Sequence, residues 1–209
     1  HLAKKQYIDE ARYVYRSGVV ANNWHYLYIT LNNVRDVRDR AAEEGLTNMA
    51  SVAKIWEAVI VQLGTDRWRD IPYSEAIGLD NGIVTPKYDT QEEIYPALMT
   101  LLKEAADGLN EGSIDDLGSG DILFYGDTDA WLRLANSLRL RMAMRIANVN
   151  PSLAKQVAEE IAGNPAKYPL IKENSQNAFF WWPGESPYYE PWADDFRTRD
   201  DHCVSDILV

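Results

Sequence analysis

Carboxylate side chains near the end of the chain are the residues that could do chemistry unaided. They are Glu185, Glu190, Asp194, Asp195, Asp200 and Asp201. A glycosidase needs two carboxyl groups about 5–10 Å apart across a cleft. The chain has 32 acidic residues, so such pairs arise by chance, and adjacent acids tend to point apart. We therefore predict that the protein is not an enzyme, with an all-α glycoside hydrolase as the alternative.

Metal-binding and nucleophilic motifs are not visible in the sequence. His1, His25 and His202 are isolated, and the single cysteine, Cys203, has no second cysteine for an internal disulfide. The run Asp127-Thr128-Asp129 lacks the glycine and the terminal glutamate of a calcium loop, so we interpret it as a helix cap. We expect no metal and no cofactor, and we expect Cys203 to be a half-buried free thiol.

The net charge of the chain restricts its partners. It is −11, with 21 basic residues against 32 acidic ones. A phosphate backbone requires clustered Lys and Arg, so we exclude nucleic acid as a partner. The same balance disfavours docking on anionic lipid through a basic patch. Neutral ligands such as sugars are compatible with this charge.

Aromatic side chains that could stack on sugar rings are concentrated between residues 179 and 192. Stacking uses the apolar C–H face of a pyranose, and the neighbouring prolines stiffen the segment so that little entropy is lost on binding. The predicted ligand-binding residues are Trp181, Trp182, Tyr188, Tyr189 and Trp192, with Trp68 and Arg67 as a second candidate. The alternative is that these aromatics seal the edge of a helical core.

The elements that would position these residues are helices. Apolar residues recur at helical spacing, and Gly, Asn or Pro punctuate the pattern. The predicted helices cover about Ala3–Arg16, Asn23–Glu44, Thr47–Gly64, Thr90–Asn110, Asp127–Asn148 and Pro151–Gly163, with a last short helix near Val204. Glu92 or Glu93 would complete a capping box, and Pro96 should kink its helix or delay its start.

Irregular segments separate these helices. They cover Thr65–Asp89, Gly112–Gly120 and the aromatic, Pro-rich region Asn164–Thr198, which is predicted to be loop rather than helix. A helix hairpin that cannot bury its own apolar face must stack on the next hairpin. We therefore predict an all-α fold of stacked, tetratricopeptide-like helix pairs, forming a single domain over residues 1–209 that includes region 164–198.

Three motifs follow one another in the middle of the chain. The first is Trp68-Arg69-Asp70-Ile71-Pro72-Tyr73-Ser74-Glu75-Ala76, and the second is Pro86-Lys87-Tyr88-Asp89-Thr90-Gln91-Glu92-Glu93-Ile94-Tyr95. The third runs from Asp121-Ile122-Leu123-Phe124-Tyr125-Gly126-Asp127 through Trp131 to Ala135-Asn136-Ser137-Leu138-Arg139-Leu140-Arg141. In this order and spacing they resemble the SusD/RagB family, although Arg69 stands where that family usually has Gly.

The resemblance implies a function and a location. Members of this family are lipid-anchored proteins on the outer face of a Bacteroidetes-type outer membrane, which pass oligosaccharide to a TonB-dependent SusC-like transporter. Members are usually more than twice as long, so we expect an N-terminal lipoprotein signal with its Cys, and a C-terminal half, outside this sequence. We expect the motif residues to be architectural. A helical scaffold that binds only protein, without glycan affinity, is a further alternative.

Overall fold

A computed structural model describes residues 12–110, 113–115 and 117–198. The chain divides into two compact units. The helical unit contains residues 24–178, and the terminal unit contains residues 1–23 and 179–209. Because each unit is described by itself, a single domain over residues 1–209 stays a prediction.

Helix α1 covers Ser17–Glu43 and begins earlier than predicted. Most of the predicted helix 3–16 lies outside the described residues, and residues 12–16 are not helical, which corrects its end. Gly18 lies inside α1 and does not stop a helix, because its φ is not in the left-handed region. Gly45 has a φ of +74° and ends α1 as predicted.

Helix α2 covers Thr47–Trp68, four residues beyond the predicted stop at Gly64. A Cβ atom at Gly64 would lie 2.8 Å from Cδ2 of Leu27 and 3.0 Å from Cδ1 of Ile71. Gly64 is therefore a point of close packing against α1 and not a helix terminator. Buried residues occur on most sides of α2, which confirms the prediction of a helix packed on several faces.

Helix α3 covers Gln91–Gly108 and starts with the predicted capping box. Thr90 accepts a hydrogen bond from the Glu93 backbone N–H, and the Glu93 carboxylate accepts one from the Thr90 backbone N–H. Pro96 lies inside the helix without delaying its start. Helix α4 covers Thr128–Arg145 and α5 covers Pro151–Gly163.

The caps of α4 and α5 explain where those helices start. The Asp127 carboxylate accepts a hydrogen bond from the Ala130 N–H at 2.9 Å, which confirms the predicted helix cap. The Asn150 side-chain oxygen accepts one from the Leu153 N–H at 3.2 Å, and Pro151 is the first helical residue.

The helical unit is built by packing helices in sequence order. Helix α2 packs on α3, α3 on α4 and α4 on α5, while α1 reaches α2 through Leu27 and Gly64. Apolar residues from these helices form the core, with Trp131, Leu98, Leu102 and Met142 fully buried. Within the described residues the only β pairing consists of isolated bridges, so the architecture is all-α as predicted.

The segment 70–76 crosses between helices, as the first motif suggested. Ile71 forms an antiparallel bridge with Asp89. The Tyr28 hydroxyl donates to the Pro72 carbonyl at 2.8 Å, and Arg35 donates to the carbonyls of Tyr73 and Ala76. The motif is thus an architectural clamp that fixes a loop to α1.

The Asn and Arg residues of the third motif also hold the frame together. Asn136 donates to the Pro169 carbonyl at 3.3 Å, as expected for a residue that satisfies loop carbonyls. Arg139 pairs with Glu160 on α5, and Arg141 donates to Gln62 on α2 at 3.0 Å. These contacts link α4 to its neighbours.

In the terminal unit, helix α6 covers Pro191–Thr198. This helix corrects the prediction that region 164–198 is loop throughout. The region also contains a single 3₁₀ turn, Asn174–Gln176, and is otherwise irregular up to residue 190. The prediction of a helix near Val204 falls outside the described residues. Among the helices that are described, none has both the length and the apolar character to cross a membrane.

Candidate functional site

The aromatic residues Phe179 to Trp182 form an extended run in the terminal unit. Successive side chains of an extended chain point to opposite faces, so alternate residues share a face. Accordingly the rings of Phe179 and Trp181 are 6.1 Å apart, and those of Phe180 and Trp182 are 4.8 Å apart at 75°. Trp181 is 74% exposed and Trp182 is 43% exposed, so both indoles present free surface.

A tight turn follows this run and directs the next aromatic residue outward. Glu185 and Tyr188 form an antiparallel bridge, in which the Tyr188 N–H donates to the Glu185 carbonyl at 2.7 Å. The Gly184 N–H donates to the Tyr188 carbonyl at 3.3 Å, and Gly184 takes a φ of +78° that suits glycine. The Ser186–Pro187 peptide bond is cis. Tyr188, at the end of the turn, is 62% exposed.

Helix α6 orders the remaining two candidates. The Glu190 carboxylate accepts a hydrogen bond from the Ala193 N–H at 2.8 Å and so caps the helix start. The guanidinium of Arg197 lies 4.0 Å from the centroid of the Tyr189 ring. It therefore covers one face of that ring. Trp192, in the first turn of α6, is exposed. Tyr189 is therefore the member of this group with the least free surface.

Two of the carboxylates that suggested hydrolysis have other partners. Glu190 caps α6, and Asp194 pairs with Arg197 at 3.0 Å. Asp200, Asp201, His202 and Cys203 lie outside the described residues. Within the described part of the chain, no group of three or more His, Cys, Asp or Glu side chains is placed to hold a metal ion.

The second predicted group, Trp68 with Arg67, lies at the end of α2 in the helical unit. Trp68 is half-buried and meets the Trp24 ring edge-on at 5.2 Å and 78°. Arg67 is exposed. Trp68 therefore packs against Trp24 while keeping part of its surface exposed, and more exposed aromatic surface at this place belongs to other residues.

Those other residues line a shallow groove of about 430 Å³. Its walls are Trp24, Tyr28, Pro72, Ala76, Ile77, Thr85, Pro86 and Tyr88. The Tyr88 ring, 62% exposed, lies nearly parallel to Trp24 with centroids 6.2 Å apart. We call this surface the aromatic groove. Sequence reasoning missed it because its residues are far apart in the chain, although the i, i+4 spacing of Trp24 and Tyr28 on a helix was a visible signal.

Asp89 fixes one wall of the aromatic groove. Its carboxylate accepts hydrogen bonds from the backbone N–H groups of Tyr73 and Ser74, at 2.9 and 2.7 Å, and from the Ser74 hydroxyl at 2.8 Å. Burial alone would raise the pKa of Asp89, but these hydrogen bonds and Lys87 lower it below its ordinary value. The groove wall is therefore held by an ionised carboxylate.

Comparison with known proteins gives a family match. The profile of the SusD-like family, described as starch-binding and associating with the outer membrane, matches residues 1–209. Among curated proteins, none matches the chain at a significant level.

Several solved structures share the fold. A chitin-binding protein is 37% identical, with a TM-score of 0.64, over 75% of this chain and 33% of its own length. A SusD/RagB family protein from Bacteroides thetaiotaomicron is 28% identical, with a TM-score of 0.69, over 85% and 36%. A chitin-binding SusD homologue from Flavobacterium johnsoniae is 28% identical, with a TM-score of 0.70, over 82% and 35%. The chain thus spans about a third of the length of these structures.

Proposed function

Because this chain belongs to the SusD-like family, we propose that it is part of a surface lipoprotein that captures an oligosaccharide and delivers it to a TonB-dependent SusC-like transporter. The family and the all-α, tetratricopeptide-like fold predicted from the sequence are both confirmed. The family description names a binding protein associated with the outer membrane, which agrees with the prediction that the chain is not an enzyme. Glycan capture, the lipid anchor and the transporter partner are our proposals for this chain.

The observation that best supports glycan capture is the exposure of Trp181, Trp182, Tyr188 and Trp192 within twelve residues of sequence. Large aromatic rings left in water carry a free-energy cost that ligand binding removes. The turn at Gly184 and helix α6 order the segment before a ligand arrives, so less entropy is lost on binding. We infer that these rings are stacking platforms for sugar residues.

The aromatic groove is a second candidate platform. Its outer ring, Tyr88, is backed by Trp24, and the Tyr28 hydroxyl is already bonded to Pro72, so the groove offers mainly flat apolar surface. A pyranose placed on Tyr88 would gain stacking without disturbing a hydrogen bond. This candidate lies beside Trp68, which packs edge-on against the same Trp24.

Isothermal titration calorimetry with hexasaccharides tests the proposal. Chitohexaose comes first, because two of the solved relatives are chitin-binding, and maltohexaose and cellohexaose follow. We expect at least one to bind, and Trp181→Ala, Trp182→Ala and Trp192→Ala each to weaken it at least tenfold, or about 1.4 kcal/mol. Tyr88→Ala reports on the aromatic groove, and the exposed Tyr26→Ala is the matched control.

The same samples separate the alternatives. Release of reducing ends from the hexasaccharides would indicate a glycoside hydrolase. Absence of heat with every glycan would favour the protein-binding scaffold. Delivery is tested by purifying the full-length protein from detergent-solubilised outer membranes. A TonB-dependent transporter should co-purify, and isolation of the protein alone would contradict the delivery proposal.

A further inference from the structure

A cavity of about 630 Å³, lined by both polar and apolar groups, lies in the helical unit, where the end of α2 meets the start of α3 and the end of α4. It is lined by Asp66, Arg69, Asp70, Thr90, Gln91, Glu92, Tyr95, Pro96, Arg145, Ile146, Val149 and Asn150. None of these residues lines the aromatic groove. The volume is in the range of small-molecule sites. We call it the Arg69 cavity.

Arg69 occupies a backbone conformation that is costly for any residue with a side chain. Its φ is +66° and its ψ is −92°. The conformation is imposed from both sides, because the Arg69 N–H donates to the Thr65 carbonyl at 2.8 Å and Ile71 is bridged to Asp89. Gly would adopt it easily, because it has no Cβ atom. The Arg69 side chain is 83% exposed, so packing does not offset the cost.

The guanidinium of Arg69 is also uncommitted compared with the other arginine of the cavity. Its closest carboxylate contact among the described residues is 3.8 Å, from Nε to Oδ1 of Asp70, which is too long for a hydrogen bond. By contrast, Arg145 donates to the Tyr95 hydroxyl and pairs with Asp66, each at 2.9 Å. The N–H groups of the Arg69 guanidinium are therefore available to donate to a bound molecule.

The other cavity groups indicate what that molecule is. Oδ1 of Asp70 accepts from the Gln91 N–H at 3.0 Å, which leaves Oδ2 as an acceptor. The Asn150 oxygen is used by Leu153, which leaves its NH₂ as a donor. A guanidinium can donate to one hydroxyl oxygen, while a neighbouring carboxylate accepts from the next hydroxyl group.

Apolar lining and charge narrow the ligand class further. Pro96, Ile146 and Val149 provide apolar surface for the C–H groups of a ring. Asp66, Asp70 and Glu92 outnumber Arg69 and Arg145, so the cavity carries a formal charge of −1 from these five side chains and disfavours anions. A neutral, polyhydroxylated ligand fits both properties.

From this geometry we infer that the Arg69 cavity is a saccharide subsite, in which Arg69 and Asp70 together read adjacent hydroxyl groups of a neutral sugar. The assignment of a sugar as the ligand rests on the proposed function, whereas the location of the site does not depend on it. The subsite differs from the stacking platforms because it reads hydroxyls and contains no exposed aromatic plane, since Tyr95 is 4% exposed.

The test is a titration of the full chain followed by NMR of arginine side-chain Nε–Hε signals. Glucose, N-acetylglucosamine and glucuronate are the probes. We expect a neutral sugar to shift the Arg69 signal. Binding to the variants is followed through the side-chain NH₂ signal of Asn150, and Arg69→Ala and Asp70→Asn should each weaken it at least fivefold. Arg69→Lys should also weaken it, because a lysine loses the planar fork. Arg40→Ala, an exposed arginine on α1, is the matched control.

The outcomes separate this inference from the proposed function. Calorimetric glycan binding that depends on Trp181 and Trp182, without any shift at Arg69 or Asn150, overturns the subsite and leaves the proposed function intact. A shift at Arg69 with intact binding in Trp181→Ala and Trp182→Ala supports the subsite and overturns the platforms. A response to glucuronate alone overturns the neutral ligand class. No response to any saccharide in either experiment overturns both proposals.

Discussion

The Nε atom of Arg35 donates to Oε1 of Glu57 at 2.9 Å, although Glu57 is 1% exposed in the middle of α2. A second guanidinium, that of Arg38, donates to Oε2 of the same carboxylate. Arg35 also donates to the carbonyls of Tyr73 and Ala76, so one buried carboxylate connects α2, α1 and the loop that bears the first motif.

Replacing Glu57 should therefore destabilise the whole helical unit. Glu57→Gln leaves Arg35 and Arg38 without their anion, and breaking a buried ion pair typically costs about 3–5 kcal/mol. Urea denaturation followed by circular dichroism measures the free energy of unfolding. Glu104→Gln is the matched control, because Glu104 pairs with Lys54 at 3.1 Å while 56% exposed and should change by less than about 0.5 kcal/mol. Equal effects of the two changes would contradict the structural role of Glu57.

Arg69→Gly should stabilise the protein. Removing the side chain relieves a strained backbone worth about 1–3 kcal/mol, while Gly raises the entropy of the unfolded chain by about 0.4–1 kcal/mol. The net gain is about 1 kcal/mol, or roughly 2–4 °C in Tm for a chain of this size. Differential scanning calorimetry measures it. Arg69→Ala keeps the strain and should show no gain, so a Tm for Arg69→Gly below that of Arg69→Ala would show that the backbone is not strained.

The stability contributed by Glu160 should disappear at low pH. Hydrogen bonds from Lys103, and then from Arg139 and Tyr168, lower the pKa of Glu160 from its ordinary 4.5 to about 2. The folded protein therefore holds the ionised form more strongly than the unfolded chain does. This contribution is fully present above about pH 4.5 and is lost as the pH falls towards 2.

Comparison with a neutral variant isolates this effect from the other carboxylates. The difference in free energy of unfolding between the parent and Glu160→Gln should be largest at neutral pH and should shrink between pH 4.5 and 2. Glu159→Gln, a change at an exposed neighbour, provides the control. A difference that stays constant across this pH range would contradict the lowered pKa of Glu160 in the folded protein.

Gly64→Ala should be destabilising, although Ala normally favours a helix. The added Cβ would lie 2.8 Å from a methyl carbon of buried Leu27, and overpacking a core costs about 1–3 kcal/mol. Gly163→Ala, at the end of α5 with no atom within 4 Å of the new Cβ, should be neutral or slightly stabilising. Thermal unfolding of both variants checks the pair, and a Gly64→Ala protein as stable as Gly163→Ala would contradict the close approach of α1 and α2.

The sequence predicted the helices well where the signal was local. The Thr90–Glu93 capping box, the Asp127 cap and the first-turn Pro151 all mark observed helix starts. The end of α2 was missed, because a glycine that stops a helix and a glycine that admits a neighbouring side chain look the same in one sequence. Only the position of Leu27 distinguishes them.

Prediction of the candidate site was limited for a similar reason. The exposed aromatics 181, 182, 188 and 192 are close together in the chain, so composition was sufficient to find them. The aromatic groove joins residues 24 and 88, and the Arg69 cavity joins residues 69 and 150, so both depend on tertiary packing. The edge-on packing of Trp68 against Trp24 depends on tertiary structure in the same way.

The Ile71–Asp89 bridge bears on how the aromatic groove can vary in sequence. Both ends of the intervening segment are fastened together by that bridge and by the Asp89 carboxylate, independently of what lies between them. Residues 77–86 can accordingly be exchanged or lengthened without moving α2 or α3, and lengthening a loop whose ends are already joined costs little entropy. Because Ile77, Thr85 and Pro86 line the aromatic groove, changes within this segment would reshape the groove on an unaltered helical scaffold.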